Sequence, residues 1–331
     1  MSGVTQNLSK MSSVNALAQA APAAEFHHLG KLAPIALFVY NRAEHTRRSV
    51  EALQKNDLAK QSDLFVFADG PKEESAWEVE EVRKFLRRIG GFRSVTIIER
   101  ERNFGLSRSI INGVTQLCQE FGCAIAIEDD VLIAPDFLSF INRGLDHYVD
   151  EPRVFSVCGF NYPITVRSTY PYDAFFSYRF ACWGWGTWGD RWAKADWSVG
   201  DYAEFAGDIE RQKRFNRGGD ELTAMLDRHM AGKNPGYWDT VWGYTHSRHD
   251  AVAILPVVSR ALNIGFDGSG AHRYLPFGQV ALVTTGEATP RFPVFMEPDP
   301  DFAAEIRRLH RVSTTKKLAH YVLDKLRLAC V

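Results

Sequence analysis

No Cys-x-x-Cys pair, no apolar run long enough to cross a bilayer and no excess of either charge occur in this 331-residue chain. The five cysteines (Cys118, Cys123, Cys158, Cys182 and Cys330) are scattered and odd in number. That argues against a disulfide framework or a zinc site and for reduced cytosolic thiols. A transmembrane helix needs about 20 apolar residues, and none is found. The N-terminus also lacks the charged region and long apolar core of a signal peptide. Lys and Arg number 39 against 40 Asp and Glu, a net charge of −1, so there is no global basic field for nucleic acid. These absences predict a soluble, cytoplasmic protein that does not bind nucleic acid. Three further absences narrow the chemistry. Without Gly-x-Gly-x-x-Gly after the first strand a dinucleotide oxidoreductase is excluded, and without Gly-x-x-x-x-Gly-Lys-Ser/Thr so is a phosphate-loop NTPase. The Gly-x-Ser-x-Gly elbow of hydrolases is missing too.

What is there reads as an ordinary globular chain, 45% hydrophobic and 24% charged, long enough for one large domain or two small ones. Residues 1–32 are rich in Ser, Ala, Asn and Gln and carry no apolar periodicity, as in a loosely attached arm. From residue 33 strands and helices alternate. Strands are expected at 34–40, 63–68, 94–98 and 123–127. Helices are expected at 43–55, at 73–89 with Trp77, Val82, Phe85 and Leu86 near one face, and at 105–121 with Leu106, Ile110, Val114 and Leu117 inward. Such alternation predicts an α/β fold with a doubly wound, mostly parallel sheet.

The fourth strand ends in Glu128, Asp129 and Asp130. Carboxylates at the carboxyl edge of a parallel sheet lie where open α/β folds bind ligands. Three adjacent acids repel unless a cation or donors sit among them. Hard oxygen ligands suit Mg²⁺ or Mn²⁺, which fill their remaining positions with water and phosphate oxygens. A solvated acidic turn is the alternative. Asn41 and Arg42, Asp69, and Arg102 with Asn103 end the other strands and are expected at the same edge. A pocket basic at one rim and acidic at the other suits a nucleoside diphosphate with its metal.

Beyond residue 150 the composition changes. Five of the eight tryptophans fall between Tyr178 and Trp197, alternating with glycine as Trp183-Gly-Trp185-Gly-Thr-Trp188. Trp-Gly alternation is a poor sequence for a regular element. The rings either pack as a small core or stack on sugars in a cleft. The charged stretch 201–231, including Arg211 to Arg217, reads as helices with a solvated face. In Tyr237-Trp-Asp-Thr-Val-Trp242, Trp238, Val241 and Trp242 share a helix face. Asp239 sits among aromatics near that helix's start, placed to act as a base or to satisfy backbone N–H groups. His272 closes a Gly-rich loop and is a candidate metal ligand or phosphate-side residue. The tail from Arg307 is basic, and Leu318, Tyr321, Val322 and Leu326 at helical spacing would let it rest on anionic lipid.

Together, Asn-Arg after the first strand, Ala-Asp-Gly after the second, Asn-Phe-Gly-Leu-Ser-Arg before the third helix and Glu-Asp-Asp-Val-x-x-x-Pro-Asp-Phe resemble nucleotide-sugar glycosyltransferases of the GT-A fold. With Trp-Gly-Trp-Gly-Thr-Trp and Tyr-Trp-Asp-x-x-Trp, the chain is similar to a bacterial branch related to the eukaryotic β-1,2-N-acetylglucosaminyltransferase of N-glycans. The likeness spans roughly Pro34 to Arg273. It implies an inverting, metal-dependent transfer from a UDP-sugar, for example UDP-N-acetylglucosamine, to a glycan or lipid-linked acceptor of surface polysaccharide. Mn²⁺ or Mg²⁺ would be held chiefly by Asp130, with Glu128 and Asp129 on the sugar or ribose. Tyr40, Asn41, Arg42, Asp69 and Asn103 would line the nucleotide site, with Arg108 near the donor. Trp183, Trp185 and Trp238 would face the acceptor. The family's base lies in a Phe-Trp-Asp-Asp-Trp segment. Thr240 stands where its second acid would be, which leaves Asp239 as the base. The implied layout is a donor half, 33–162, and an acceptor half, 163–290, of one GT-A domain, followed by a basic helical tail, 291–331. A sugar-nucleotide nucleotidylyltransferase and a non-catalytic glycan-binding module are the competing readings.

Overall fold

The computed structural model describes residues 31–233, 238–267, 282 and 289–311. The arm before residue 31, the loop holding His272 and the tail beyond Arg311 lie outside them. Alternation begins as the sequence predicts: β1 Ile35–Val39, α1 Ala43–Gln54, β2 Asp63–Ala68, α2 Ala76–Leu86, β3 Ser94–Glu99, α3 Leu106–Phe121 and β4 Cys123–Glu128. All five residues of β1 are buried, as are the first five of β4. Strands covered on both faces are near-continuous apolar runs for this reason. β1 lies parallel between β2 and β4, with Val39 opposite Ala68 and Phe38 opposite Glu128, and β2 pairs parallel with β3, Ala68 opposite Glu99. This register brings the four strand ends to one edge.

The chain continues through β5 Val131–Ile133, α4 Phe137–His147, β6 Val154–Cys158, β7 Ala174–Ser177 and β8 Trp185–Trp188. Short helices follow: α5 Gly189–Trp192, α6 Tyr202–Gly207, α7 Ile209–Phe215 and α8 Leu222–Met230. The described chain ends with α9 Trp238–Arg248, β9 Val252–Pro256, β10 Ala261–Asn263 and α10 Pro300–Leu309. Eight strands form one mixed sheet in the order β3-β2-β1-β4-β8-β6-β9-β7. The four strands on the β3 side are parallel to one another. β8 runs antiparallel to both β4 and β6, and β7 antiparallel to β9. The expected mixed, mostly parallel sheet flanked by helices is what the chain forms. β5 and β10 pair in a small antiparallel ribbon, Val131 opposite Asn263.

The Trp-Gly stretch corrects the sequence reading, because it is a fully buried central strand rather than irregular chain. Period two explains it. Gly186 and Trp188 face α4, where a Cβ on Gly186 would stand 2.8 Å from Ile141 Cγ2 and the Trp188 indole donates to the Leu145 carbonyl at 3.2 Å. Glycine is there because the helix passes too close for a side chain. Trp185 faces the other way, toward Trp192, Trp238 and Trp242.

Three smaller expectations also change. Trp77 is 71% exposed, since α2 starts at Ala76 and places it five residues, about 140° around the axis, from buried Val82. Leu106, the first residue of α3, is 49% exposed at the open edge. The Arg211–Arg217 stretch is not simply solvated. Arg211 donates to Asp201 and, at 2.9 Å, to the Tyr244 hydroxyl, while Arg217 donates to Asp250 at 2.7 Å and stacks on Tyr178. No helix among the described residues is long and apolar enough to cross a membrane.

Candidate active site

The parallel register delivers Tyr40, Asn41 and Arg42, then Asp69, then Arg100 to Asn103, then Glu128 to Asp130 to one sheet edge. Asp69 and Asn103 spend their bonding capacity on each other's loops. The Asp69 carboxylate accepts the N–H groups of Gly70, Phe104 and Gly105 at 2.8–2.9 Å, and Asn103 Nδ2 donates to the Gly70 carbonyl at 3.0 Å. The Tyr40 hydroxyl meets Ser75 Oγ at 2.6 Å, and Asn41 follows it, half-buried. The Arg108 and Arg100 guanidiniums lie 4.4 and 4.5 Å from the centre of the Phe104 ring.

The acidic turn is the electrostatic centre. One nitrogen, Arg42 Nη2, donates to Asp129 Oδ1 at 2.5 Å and to Asp130 Oδ2 at 2.9 Å. Burial works against the charge on Arg42, but Asp129 and Asp130 together outweigh it and hold the guanidinium protonated. Burial, partly offset by Arg42, pushes the Asp129 carboxyl up to about 6. Burial, then the charges of Asp130, Asp129 and Asp239, push Glu128 well above the usual carboxylate range. Ser49 Oγ ties down the Asp129 carbonyl at 2.7 Å.

From the other side, β10 and the loop after it close on the turn. Asn263 Nδ2 donates to Asp130 Oδ1 at 3.2 Å, and the Ile264 N–H to the Asp130 carbonyl at 2.8 Å. A Cβ on Gly265 would stand 2.2 Å from Asp130 Oδ2 and 3.1 Å from Arg42 Nη1, so only glycine lets this backbone pass. His45 on α1 reaches Asp267 at 3.2 Å. From sequence the Gly-rich loop after Ala261 was expected near phosphates or a metal through His272, but the contacts of Asn263 and Gly265 with Asp130 had no signal beyond that composition.

Asp239 reaches the same edge through tryptophans. Trp185 pairs with Ala126 of β4, two residues before Glu128. Trp238 stacks on Trp185 at 5.5 Å and 23°, which fixes the start of α9, and Asp239 is the next residue. The Cys182 thiol lies 4.0 Å from Asp239 Oδ2. Of the three tryptophans expected at the acceptor, Trp185 and Trp238 are 1% and 3% exposed. Their rings are sealed in the core. Trp183 stays half-buried, edge-on to Phe160 at 4.4 Å and Phe266 at 5.6 Å.

For a divalent cation the donor set is the test. Among the described residues no three His, Cys, Asp or Glu side chains gather as a metal cage. A Mg²⁺ or Mn²⁺ shared with phosphates needs only one or two carboxylates and keeps its waters. Asp130, whose oxygens each accept one side-chain hydrogen bond and retain further lone pairs, fits that requirement.

No protein-family model matches the chain, and no curated protein matches its sequence. Among solved structures it is similar to the mannosyltransferase PcManGT of Pyrobaculum calidifontis, solved with GDP-mannose and Mn²⁺. That likeness has 11% identity and a TM-score of 0.37, over 73% of this chain and 80% of that one. It is also similar to TarS of S. aureus, at 13% identity and a TM-score of 0.31, over 48% of this chain and 29% of that one. Likenesses this weak do not carry a shared chemistry.

Proposed function

We propose that the chain is a glycosyltransferase of the GT-A fold that moves a sugar, with inversion, from a nucleotide-sugar to a glycan or lipid-linked acceptor. A UDP-sugar such as UDP-N-acetylglucosamine is the donor we favour, and surface polysaccharide the product class. The observation that carries the reading is the meeting of two acidic elements at one sheet edge. Glu128 ends β4 with Asp129 and Asp130 directly after it, and Asp239, the second residue of α9, lies close enough to raise the Glu128 pKa.

Each side chain has a distinct task. Asp130 would hold Mn²⁺ or Mg²⁺, whose charge supplies Lewis-acid stabilisation of the departing nucleoside diphosphate. Arg42 brings a permanent positive charge to the same edge. Glu128, at the end of β4 beside the acidic turn, would contact a hydroxyl of the donor sugar or ribose. Asp239 would take the proton from the attacking acceptor hydroxyl. Trp183, the expected acceptor-side tryptophan with exposed surface, offers a ring edge to the sugar. The leaving phosphate needs no acid, which sets this carboxylate pair apart from that of a glycoside hydrolase.

The test is titration calorimetry of UDP with and without Mn²⁺ on the wild type and Asp130→Ala, followed by turnover of UDP-sugars by the wild type and Asp239→Asn. Metal-dependent UDP binding lost in Asp130→Ala supports the donor site. A turnover loss of about 10²–10⁴-fold in Asp239→Asn with UDP binding retained supports the base. Pyrophosphate release from a nucleoside triphosphate would favour the nucleotidylyltransferase instead. Glycan binding indifferent to metal and nucleotide would favour the non-catalytic module.

A further inference from the structure

Arg42 stands out because a single nitrogen of it serves two carboxylates. Nη2 lies 2.5 Å from Asp129 Oδ1 and 2.9 Å from Asp130 Oδ2. A point of positive charge between two carboxylate oxygens is where a metal ion bridging them would sit. The carboxylates are more enclosed than the arginine: the side chains are 6% and 13% exposed against 21% for Arg42. Arg42 also precedes the first turn of α1 and caps it with no side-chain hydrogen bond. Its guanidinium is tied to the acidic turn and not to its own helix, and its side chain keeps about a fifth of its surface exposed. Asp130 has no comparable freedom, since Asn263 holds its other oxygen and the Gly265 backbone passes directly beside it.

We infer that Arg42 is a displaceable counter-ion, so that a divalent cation gains Asp130 only by competing with the Arg42 guanidinium. The inference rests on the metal-dependent reading of the acidic turn. A cation arriving alone has to break two charge-assisted hydrogen bonds and strand a guanidinium. A cation arriving with a nucleoside diphosphate brings phosphate oxygens on which the guanidinium can re-form them. Cation and nucleotide then bind with positive coupling, and by linkage the coupling is the same read from either side. When no cation is bound, Arg42 also places a positive charge between Asp129 and Asp130, which reduces their mutual repulsion.

The experiment measures Mn²⁺ binding to the full chain, by the electron paramagnetic resonance of the free ion, with and without UDP. Wild type is compared with Arg42→Met, Arg42→Lys and Arg47→Met. Arg47 lies on the same helix, pairs with Glu44 and Glu51, and controls for loss of one positive charge. Without UDP, Arg42→Met is expected to bind Mn²⁺ about tenfold more tightly than wild type, the worth of roughly one charge-assisted hydrogen bond. Arg42→Lys, whose shorter side chain places its ammonium less well between the two oxygens, is expected to gain about threefold. Arg47→Met should stay within about twofold. UDP should tighten Mn²⁺ binding more in wild type than in Arg42→Met. Unchanged or weaker Mn²⁺ affinity in both Arg42 variants overturns the inference, as does an equal gain in Arg47→Met. If Arg42→Met does not fold, Arg42→Lys decides alone. Flat Arg42 variants alongside a wild type that binds Mn²⁺ and UDP overturn only the competition. A wild type that binds neither overturns the functional reading with it.

Discussion

Replacing Asp69 by asparagine separates two roles for that carboxylate, a ligand for the nucleotide and an anchor for the loop that precedes α3. The residue is 5% exposed. Oδ1 accepts the N–H groups of Gly70 and Phe104, Oδ2 accepts that of Gly105, and Arg100 Nη1 lies 3.9 Å away. Asparagine keeps the shape but has one acceptor oxygen. Its NH₂ must point at a backbone donor, and Arg100 loses its counter-charge. Hydrogen bonds to a charged acceptor contribute about 1.5–3 kcal/mol, and an orphaned buried donor costs about 1–3 kcal/mol. Allowing for relaxation of the exposed end of the loop, the variant should lose about 3 kcal/mol, or roughly 4 °C in Tm for a chain of this size. Thermal unfolding followed by circular dichroism reads this directly, and UDP titration below the transition reads the other role. A Tm shift under about 2 °C combined with loss of UDP binding would refute the anchor and return Asp69 to the nucleotide.

Three further substitutions probe other parts of the frame. Gly265→Ala forces a Cβ to within 2.2 Å of Asp130 Oδ2. Metal-dependent UDP binding should therefore weaken at least about tenfold while the chain loses only about 1–2 kcal/mol by urea unfolding; unaltered binding would show that Asp130 is not the metal residue. Gly186→Ala drives a Cβ into Ile141 on α4, and overpacking is expected to lower the unfolding free energy from urea titration by about 1–3 kcal/mol. His246 is buried and its pKa is lowered to about 3 by burial and by His249. The unfolded chain, near 6.5, thus binds the extra proton as pH falls, so this stabilisation is full above about pH 6.5 and lost toward pH 3. His310, also lowered to about 3, adds in the same direction. Urea unfolding at pH 7.5 and pH 5 should differ by about 2 kcal/mol for His246 alone, and His246→Gln should remove that share of the difference.

The four parallel strands β1 to β4 and their helices were legible because their signals are local. Buried strands are continuous apolar runs, helices repeat at 3.6, and each strand end is marked by a polar break such as Asn41-Arg42 or Asp69-Gly70, so element bounds fell within a residue of those expected, except that α2 is three residues shorter at each end. The β4 edge followed from Cys123 to Ile127 in the same way. Trp77 and Leu106 misled because a helix's first turn depends on where the helix starts, and apolar spacing does not fix that. β8 was invisible for a different reason. A four-residue strand containing a glycine has neither the length nor the alternation that identifies a strand, and Gly186 is explained only by a helix that crosses it from 41 to 45 positions earlier in the chain.

The aromatic cluster shows what that blind spot concealed. Read from sequence, the tryptophans offered either a packed core or a sugar platform, as though packing and function excluded each other. Trp185 is held in register with Ala126, Trp238 stacks on Trp185, and Asp239 follows Trp238. The packing is therefore what brings a second acid to the β4 edge, beside Glu128 and Cys182. A base that must sit within a few tenths of an ångström of its position needs rigid support more than it needs a particular neighbour in sequence. Six buried indoles, Trp185, Trp188, Trp192, Trp197, Trp238 and Trp242, supply that support at little conformational cost, since each has only two side-chain torsions to fix. Loss of the Trp185 ring should then misplace Asp239 without touching Asp130. Trp185→Leu, if it folds, is expected to keep metal-dependent UDP binding and to lose turnover. Equal loss of both would mean that the indole stack supports the whole sheet edge rather than the second acid.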